Sequence, residues 1–112
     1  MVLITAFVRP HKLEEVKSAL SMLPISGLTT SDARGCGNNL EDPVSFFGQE
    51  ILVALPIRSK IEVACSEELS NDVIEQIKIA AFTGQAGDGK IFVEKLVGAL
   101  RVRTGERDSE AV

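Results

Sequence analysis

The sequence predicts an α+β domain of the ferredoxin-like βαββαβ kind: one antiparallel sheet with two helices on one face. Three observations lead there. Apolar residues recur at helical intervals in two stretches and at extended intervals in four, in the order strand, helix, strand, loop, strand, helix, strand. A poorly patterned stretch, residues 35 to 56, separates the halves. The first strand is apolar on both sides, whereas two helices can cover only one face, so the pattern implies self-association over the other.

Each element follows in order. Val2, Ile4, Ala6 and Val8 alternate with Leu3, Thr5 and Phe7, which predicts a strand that Pro10 ends. Leu13, Val16, Leu20 and Leu23 form one helical stripe, with Glu14, Glu15 and Lys17 toward water, and Pro24 and Gly27 stop it. Leu28 to Arg34 is a second strand. The pattern then lapses from Gly35 to Pro56, with a short extended piece at Ile51–Leu55. Such a stretch is uncommon inside a compact domain and is usually functional. From Arg58, the residues Ile61, Val63 and Cys65 alternate with Lys60, Glu62 and Ala64 in a third strand. Ser66 caps the second helix, Glu67 and Glu68 suit its dipole, and Leu69, Val73, Ile77 and Ala81 are its buried stripe, with Ile74 and Ala80 beside them. Thr83–Gly84 ends that helix, Gly87–Asp88–Gly89 turns the chain, and Ile91–Phe92–Val93 is the fourth strand. Leu100–Arg103 reads as extended again, and residues 106–112 as a polar, mobile tail.

Composition narrows the function. A chain of 112 residues, 45% hydrophobic and 25% charged, suits one folded domain with a thin core. A net charge of -4 argues against nucleic acid, whose binders carry basic surfaces. There is no apolar run for a membrane helix and no leader pattern after Met1, so a reduced cytoplasm is the expected compartment. Cys36 and Cys65 lack metal-ligand spacing, and His11 gives them no partner. No Ser–His–acid set is evident, so neither a metal site nor a catalytic residue is expected.

Two clusters carry chemistry. Thr83–Gly84–Gln85–Ala86–Gly87–Asp88–Gly89–Lys90 is glycine-rich and ends in lysine, which frees backbone N–H groups to approach an anion and adds a positive charge. Its spacing is not that of a Walker A loop, and taken alone it also serves as a plain helix-to-strand connection. Arg101 and Arg103 stand two apart, so on a strand both guanidinium groups face one side and can converge on a phosphate chain; the alternative is a pair of solvated arginines. Gly35–Cys36–Gly37 opens the long loop as a hinge.

Together these residues resemble the PII nitrogen-regulatory family. Thr83 to Val93 is similar to that family's C-terminal signature almost throughout, and Arg101–Val102–Arg103–Thr104–Gly105–Glu106 to the segment after it. Arg9–Pro10 with Lys12, Leu13 and Val16, then Gly27–Leu28–Thr29 and Lys60–Ile61–Glu62–Val63, also fit. The resemblance covers nearly the whole chain, residues 1–112, as one domain. It implies a homotrimer that binds ATP or ADP, with AMP a further candidate, in clefts between subunits. Gly87, Asp88, Gly89 and Lys90 would hold phosphates, with Arg101 and Arg103 from the adjacent subunit. Thr29, Glu62 and Ala64 would surround base and ribose. Gly35, Gly37 and Asn38 would lead into an effector loop, about residues 37–57, that binds a target protein of nitrogen or carbon metabolism. Such a protein is a non-enzymatic switch, because a ligand shifts the loop by its differential affinity for two loop states.

The departures from the family lie in that loop. The chain has no tyrosine, so the uridylylation site is lost: its position is Ile51. The serine phosphorylated in cyanobacterial relatives falls at Gln49. The glutamine that holds Mg²⁺ and 2-oxoglutarate aligns with Asn39, one methylene shorter, and the lysine that pairs with the keto acid aligns with Arg58. Weakened or absent 2-oxoglutarate sensing is therefore expected, and Mg²⁺ is left open. The arginine that enters a channel pore in some relatives aligns with Phe47. Phe46–Phe47 reads either as an apolar anchor for another partner or as packing of the loop onto the body. The competing readings are a carbon-side sensor of ADP or AMP with bicarbonate, a slow nucleotide hydrolase, and a ligand-free structural trimer.

Overall fold

Alternation along β1 sets the two faces of the sheet. In the computed structural model, which describes residues 1–35, 44–46, 49–51 and 55–112, β1 is Val2–Val8, α1 Leu13–Ser21, β2 Thr29–Arg34, β3 Val44–Phe46, β4 Gln49–Ile51, β5 Ile57–Cys65, α2 Glu67–Ala81 and β6 Gly89–Lys95. The main sheet is antiparallel in the order β2-β5-β1-β6, the ferredoxin-like arrangement expected from the sequence.

One face is dry. Val2, Ile4, Ala6 and Val8 of β1 meet Ile61, Val63 and Cys65 of β5, and Val16, Leu20, Val73, Ile77 and Ala81 come down on them from α1 and α2. These are the periodic residues of the two helices and the alternating residues of the two central strands. Pro10 turns the chain into a 3-10 segment, Pro10–Lys12, that feeds α1. Ser66 caps α2 as its sequence predicts: it is extended, at φ -68 and ψ 157, and its Oγ accepts from the Leu69 N–H at 3.3 Å.

Among the described residues, no helix lies over the opposite face. Leu3, Thr5 and Phe7 lie between Ala64, Glu62 and Lys60 on the β5 side and Glu94, Phe92 and Lys90 on the β6 side. Phe7 and Phe92 meet edge to face with ring centroids 6.2 Å apart, yet Phe92 is 52% exposed.

Three sequence readings change. The stretch from Gly35 to Pro56 is not without regular structure, since β3 and β4 pair as a small antiparallel hairpin. Arg101 and Arg103 do not lie on a strand. Leu100 makes one bridge, to Arg107, and residues 102–104 form a turn. The cause is Gly105: at φ +73 it returns its N–H to the Arg101 carbonyl at 2.8 Å, which closes a loop where side-chain alternation suggested extension. The segment after Glu106, read as mobile from its polarity, is tied back by a bond of 2.9 Å from the Asp108 N–H to the Ala99 carbonyl and by a 3-10 turn at Asp108–Glu110.

Candidate functional site

The glycine-rich segment between α2 and β6 is organised around Asp88. Its Oδ2 accepts from the backbone N–H groups of Thr83 and Gly84 at 2.8 and 2.9 Å. Its Oδ1 accepts from the Thr83 hydroxyl and from Arg9 Nε, the latter at 3.3 Å. Four donors nearly fill a carboxylate's acceptor capacity. The Thr83 hydroxyl above all, then the two N–H groups and Arg9, outweigh partial burial and hold the Asp88 carboxyl well below the usual carboxylate range. Asp88 is thus a fixed anion that shapes the loop from within.

The backbone follows from that hub. Gly84, Gly87 and Gly89 all have positive φ, at 86, 99 and 114°. A Cβ on Gly87 would lie 3.0 Å from Arg9 Nη2 and 3.5 Å from Arg58 Nη2, so two guanidinium groups reach one glycine. Arg9 Nη2 also donates to the Ala86 carbonyl at 2.6 Å. Among the described residues, the N–H groups of Ala86 and Gly87 meet no acceptor, whereas the turn at Ala86–Gly87 draws the Asp88 N–H back toward the Gln85 carbonyl. Successive free N–H groups beside cationic side chains form an anion-receptive concavity.

The helix-free face carries polar groups away from this loop. Lys90 follows Gly89 on β6 and pairs with Phe7, which pairs in turn with Lys60. Lys60 Nζ lies 3.5 Å from Glu62 Oε1, and Glu62 stands opposite Thr29 of β2. A cavity of about 320 Å³ at the far end of the sheet is lined by Ser26, Ala64 and Ser66 among others.

A family model described as nitrogen regulatory protein P-II matches residues 1–106. The chain belongs to the P-II family. It is 42% identical to the nitrogen regulatory protein P-II of Rhizobium etli and 40% to the nitrogen regulatory protein GlnK of Escherichia coli K12, in each case over 112 residues and the full length of both chains. The P-II protein of Synechocystis is 39% identical over 109 residues, 97% of each chain.

In this P-II chain, Gly87, Asp88, Gly89 and Lys90 gather at one end of the sheet, with Arg58 beside them. Thr29, Glu62 and Ala64 share the helix-free face toward the other end. Gly35 bonds through its N–H to the Pro56 carbonyl at 3.2 Å, which closes the base of the long loop. Gly37, Asn38, Asn39 and Phe47 lie outside the described residues, and Phe46 is placed only as the last residue of β3. Arg101 and Arg103 sit on the C-terminal hairpin, where Arg101 Nη1 pairs with Glu106 Oε1 at 3.2 Å.

Sequence reasoning placed Thr83 in the glycine-rich segment and Arg9 at a strand-to-helix junction but gave neither an individual role in the candidate site. The signal for Arg9 is register: Val8 pairs with Gly89, so the next residue along lies against the loop. Thr83 is legible as a hydroxyl that opens a turn, where such side chains bond nearby backbone. Among the described residues, no group of three or more His, Cys, Asp or Glu side chains could hold a metal ion, and no helix is long and apolar enough to cross a membrane.

Proposed function

We propose that this chain is a non-enzymatic, cytoplasmic signalling protein that forms a homotrimer and binds ATP or ADP between subunits. The observation that carries the reading is the Asp88-centred loop, whose Gly87 stands against both Arg9 and Arg58. That loop receives the phosphates, with Lys90 beside it. Thr29, Glu62 and Ala64 receive base and ribose. Arg101 and Arg103 come from the neighbouring subunit, because β6 carries the chain from the glycine loop to the opposite end of the sheet before the hairpin that bears them begins. Half-exposed Phe92, on a face that the chain's own helices leave open, favours assembly there.

Bound nucleotide biases the loop that starts at Gly35 and returns at Pro56, and the loop admits or rejects a target protein in nitrogen or carbon metabolism. The keto acid 2-oxoglutarate contributes weakly or not at all, since Asn39 is a short amide and Arg58 is a planar fork in place of a point charge.

Calorimetric titration with ATP, ADP and AMP, with and without Mg²⁺ and 2-oxoglutarate, tests the proposal. Saturable binding of ATP or ADP without a keto-acid effect is the expected result. Cooperative binding of Mg-ATP and 2-oxoglutarate would return the chain to conventional nitrogen sensing. Binding of ADP or AMP that responds to bicarbonate would favour the carbon-side reading. Sustained nucleotide turnover above about 1 s⁻¹, the low end of ordinary enzymes, would overturn the non-enzymatic assignment.

A further inference from the structure

Arg9 reaches the glycine loop from outside it. The residue follows β1, whose Val8 is buried in the core and paired with Gly89, so its backbone starts from a rigid strand end. Its side chain is 20% exposed and makes two bonds of different kind. Nε donates to Asp88 Oδ1 at 3.3 Å, and Nη2 donates to the Ala86 carbonyl at 2.6 Å. These two acceptors bracket Gly87, the residue whose conformation turns the loop.

We propose that Arg9 is a positioning residue for phosphate capture: by holding Asp88 and the Ala86 carbonyl at once, it keeps the backbone N–H groups of Ala86 and Gly87 open to a phosphate. The proposal rests on the nucleotide reading above. The physical case has two parts. First, the Ala86 carbonyl is an electronegative group inside a loop that must receive an anion. Arg9 occupies that oxygen and keeps it engaged by a cation. Second, Asp88 shapes the loop but brings a full negative charge into it. The guanidinium offsets that charge without occupying the free N–H groups. A planar fork with separate donors serves both acceptors from one side chain, which a lysine ammonium does not match.

The test uses the full chain with Arg9→Gln and Arg9→Lys. Amide hydrogen exchange by NMR, without ligand, reads the loop directly. The Thr83 and Gly84 N–H groups, which bond Asp88, are expected to exchange at least about tenfold faster in Arg9→Gln, with the Ile4 amide of β1 unchanged. Unchanged exchange at Thr83 and Gly84 would show that Arg9 does not hold the loop.

Calorimetry then compares ADP with adenosine. Loss of one charge-assisted contact predicts ADP binding about tenfold or more weaker in Arg9→Gln, and adenosine binding unchanged. Arg9→Lys, which keeps charge but not the fork, should stay well below the wild type. Full recovery by lysine would reduce the role to charge alone and overturn positioning, as would equal losses for ADP and adenosine. Should the wild type bind no nucleotide, the nucleotide reading falls with the phosphate part of this inference, and exchange alone decides whether Arg9 organises the loop.

Discussion

Gly89→Ala is the sharpest perturbation of this fold. Gly89 opens β6 at φ +114, and a Cβ there would stand 1.7 Å from the Phe7 carbonyl oxygen and 2.8 Å from its carbon. Both atoms are backbone of β1, a strand paired on either side, so neither can rotate away. Alanine must leave its backbone conformation or lift the start of β6 off β1. A residue held in a sparsely populated φ region costs about 1–3 kcal/mol. Overpacking against fixed neighbours costs about 1–3 kcal/mol more. The sum, about 2–6 kcal/mol, is a large share of the 5–15 kcal/mol that holds a typical domain. At roughly 4 °C per kcal/mol for a domain of this size, the melting temperature should fall by about 10 °C or more. Thermal unfolding followed by circular dichroism, at one fixed protein concentration, measures it. Gly27→Ala is the control: a Cβ there meets nothing within 4 Å, and a change within about 0.5 kcal/mol is expected. A Gly89→Ala protein that melts within about 3 °C of the wild type would refute the argument.

Three further outcomes follow from single interactions. Asp88 has a folded pKa below its unfolded value of about 3.9, so its contribution is present above that pH and is lost as pH falls below it. Asp88→Asn should therefore lower stability at neutral pH and flatten the loss of stability between about pH 5 and 2, measured by urea unfolding across pH; an unchanged acid limb would contradict the hub. Glu106→Gln should change stability by less than about 1 kcal/mol, because the Arg101–Glu106 pair is 40% and 39% exposed and backbone bonds hold the hairpin. A larger loss in chemical unfolding would show that the ion pair itself closes the hairpin. Phe92→Glu places a charge on the face that the proposed trimer covers, where burying a phenylalanine would contribute about 1.5–3 kcal/mol per subunit. Sedimentation equilibrium should give a dissociated chain at micromolar concentration, and an unchanged trimer mass would move the interface elsewhere.

The fold was legible because the helical stripe of α2 and the alternation of β1 and β5 agree with the packing they enter. Val73, Ile77 and Ala81 recur at one angle and are buried together, and Ile61, Val63 and Cys65 are buried by the same logic in a strand. Legibility failed where backbone chemistry outranked side-chain pattern. Leu100 to Arg103 alternates like a strand, but a bond from Gly105 to the Arg101 carbonyl turns it. β3 and β4 are three residues each, too short for periodicity to register. Within the site, the glycines and Lys90 announce themselves by composition. Arg9 does not, since its meaning depends on register across two strands 79 residues from its partner Asp88. The acidity of Asp88 invites a ligand role, and its four donors assign it to the loop instead.

On the proposed function, the helix-free face joins assembly to ligand binding. Leu3 and Phe7 supply apolar surface there, and the Lys60–Glu62 pair lies among them at 35% and 34% exposure. A neighbour that covers Phe7 and Phe92 also takes water from those charges. Desolvating a half-solvated ion pair costs free energy unless new polar partners replace the water. On the proposed function, a nucleotide between subunits would supply such partners: hydroxyls for Glu62, and phosphates for Lys90 on β6. Ligand should therefore stabilise the assembly more than the isolated fold. A ligand that binds only the assembled form contributes about 2.7 kcal/mol per site at a hundred times its dissociation constant. Dilution of the trimer with and without saturating ADP, followed by analytical ultracentrifugation, reads that linkage. Dissociation should shift to at least about tenfold lower protein concentration with ADP present. A trimer that binds ADP and yet dissociates at the same concentration would mean that the nucleotide lies within one subunit, and that the charged groups of this face serve assembly alone.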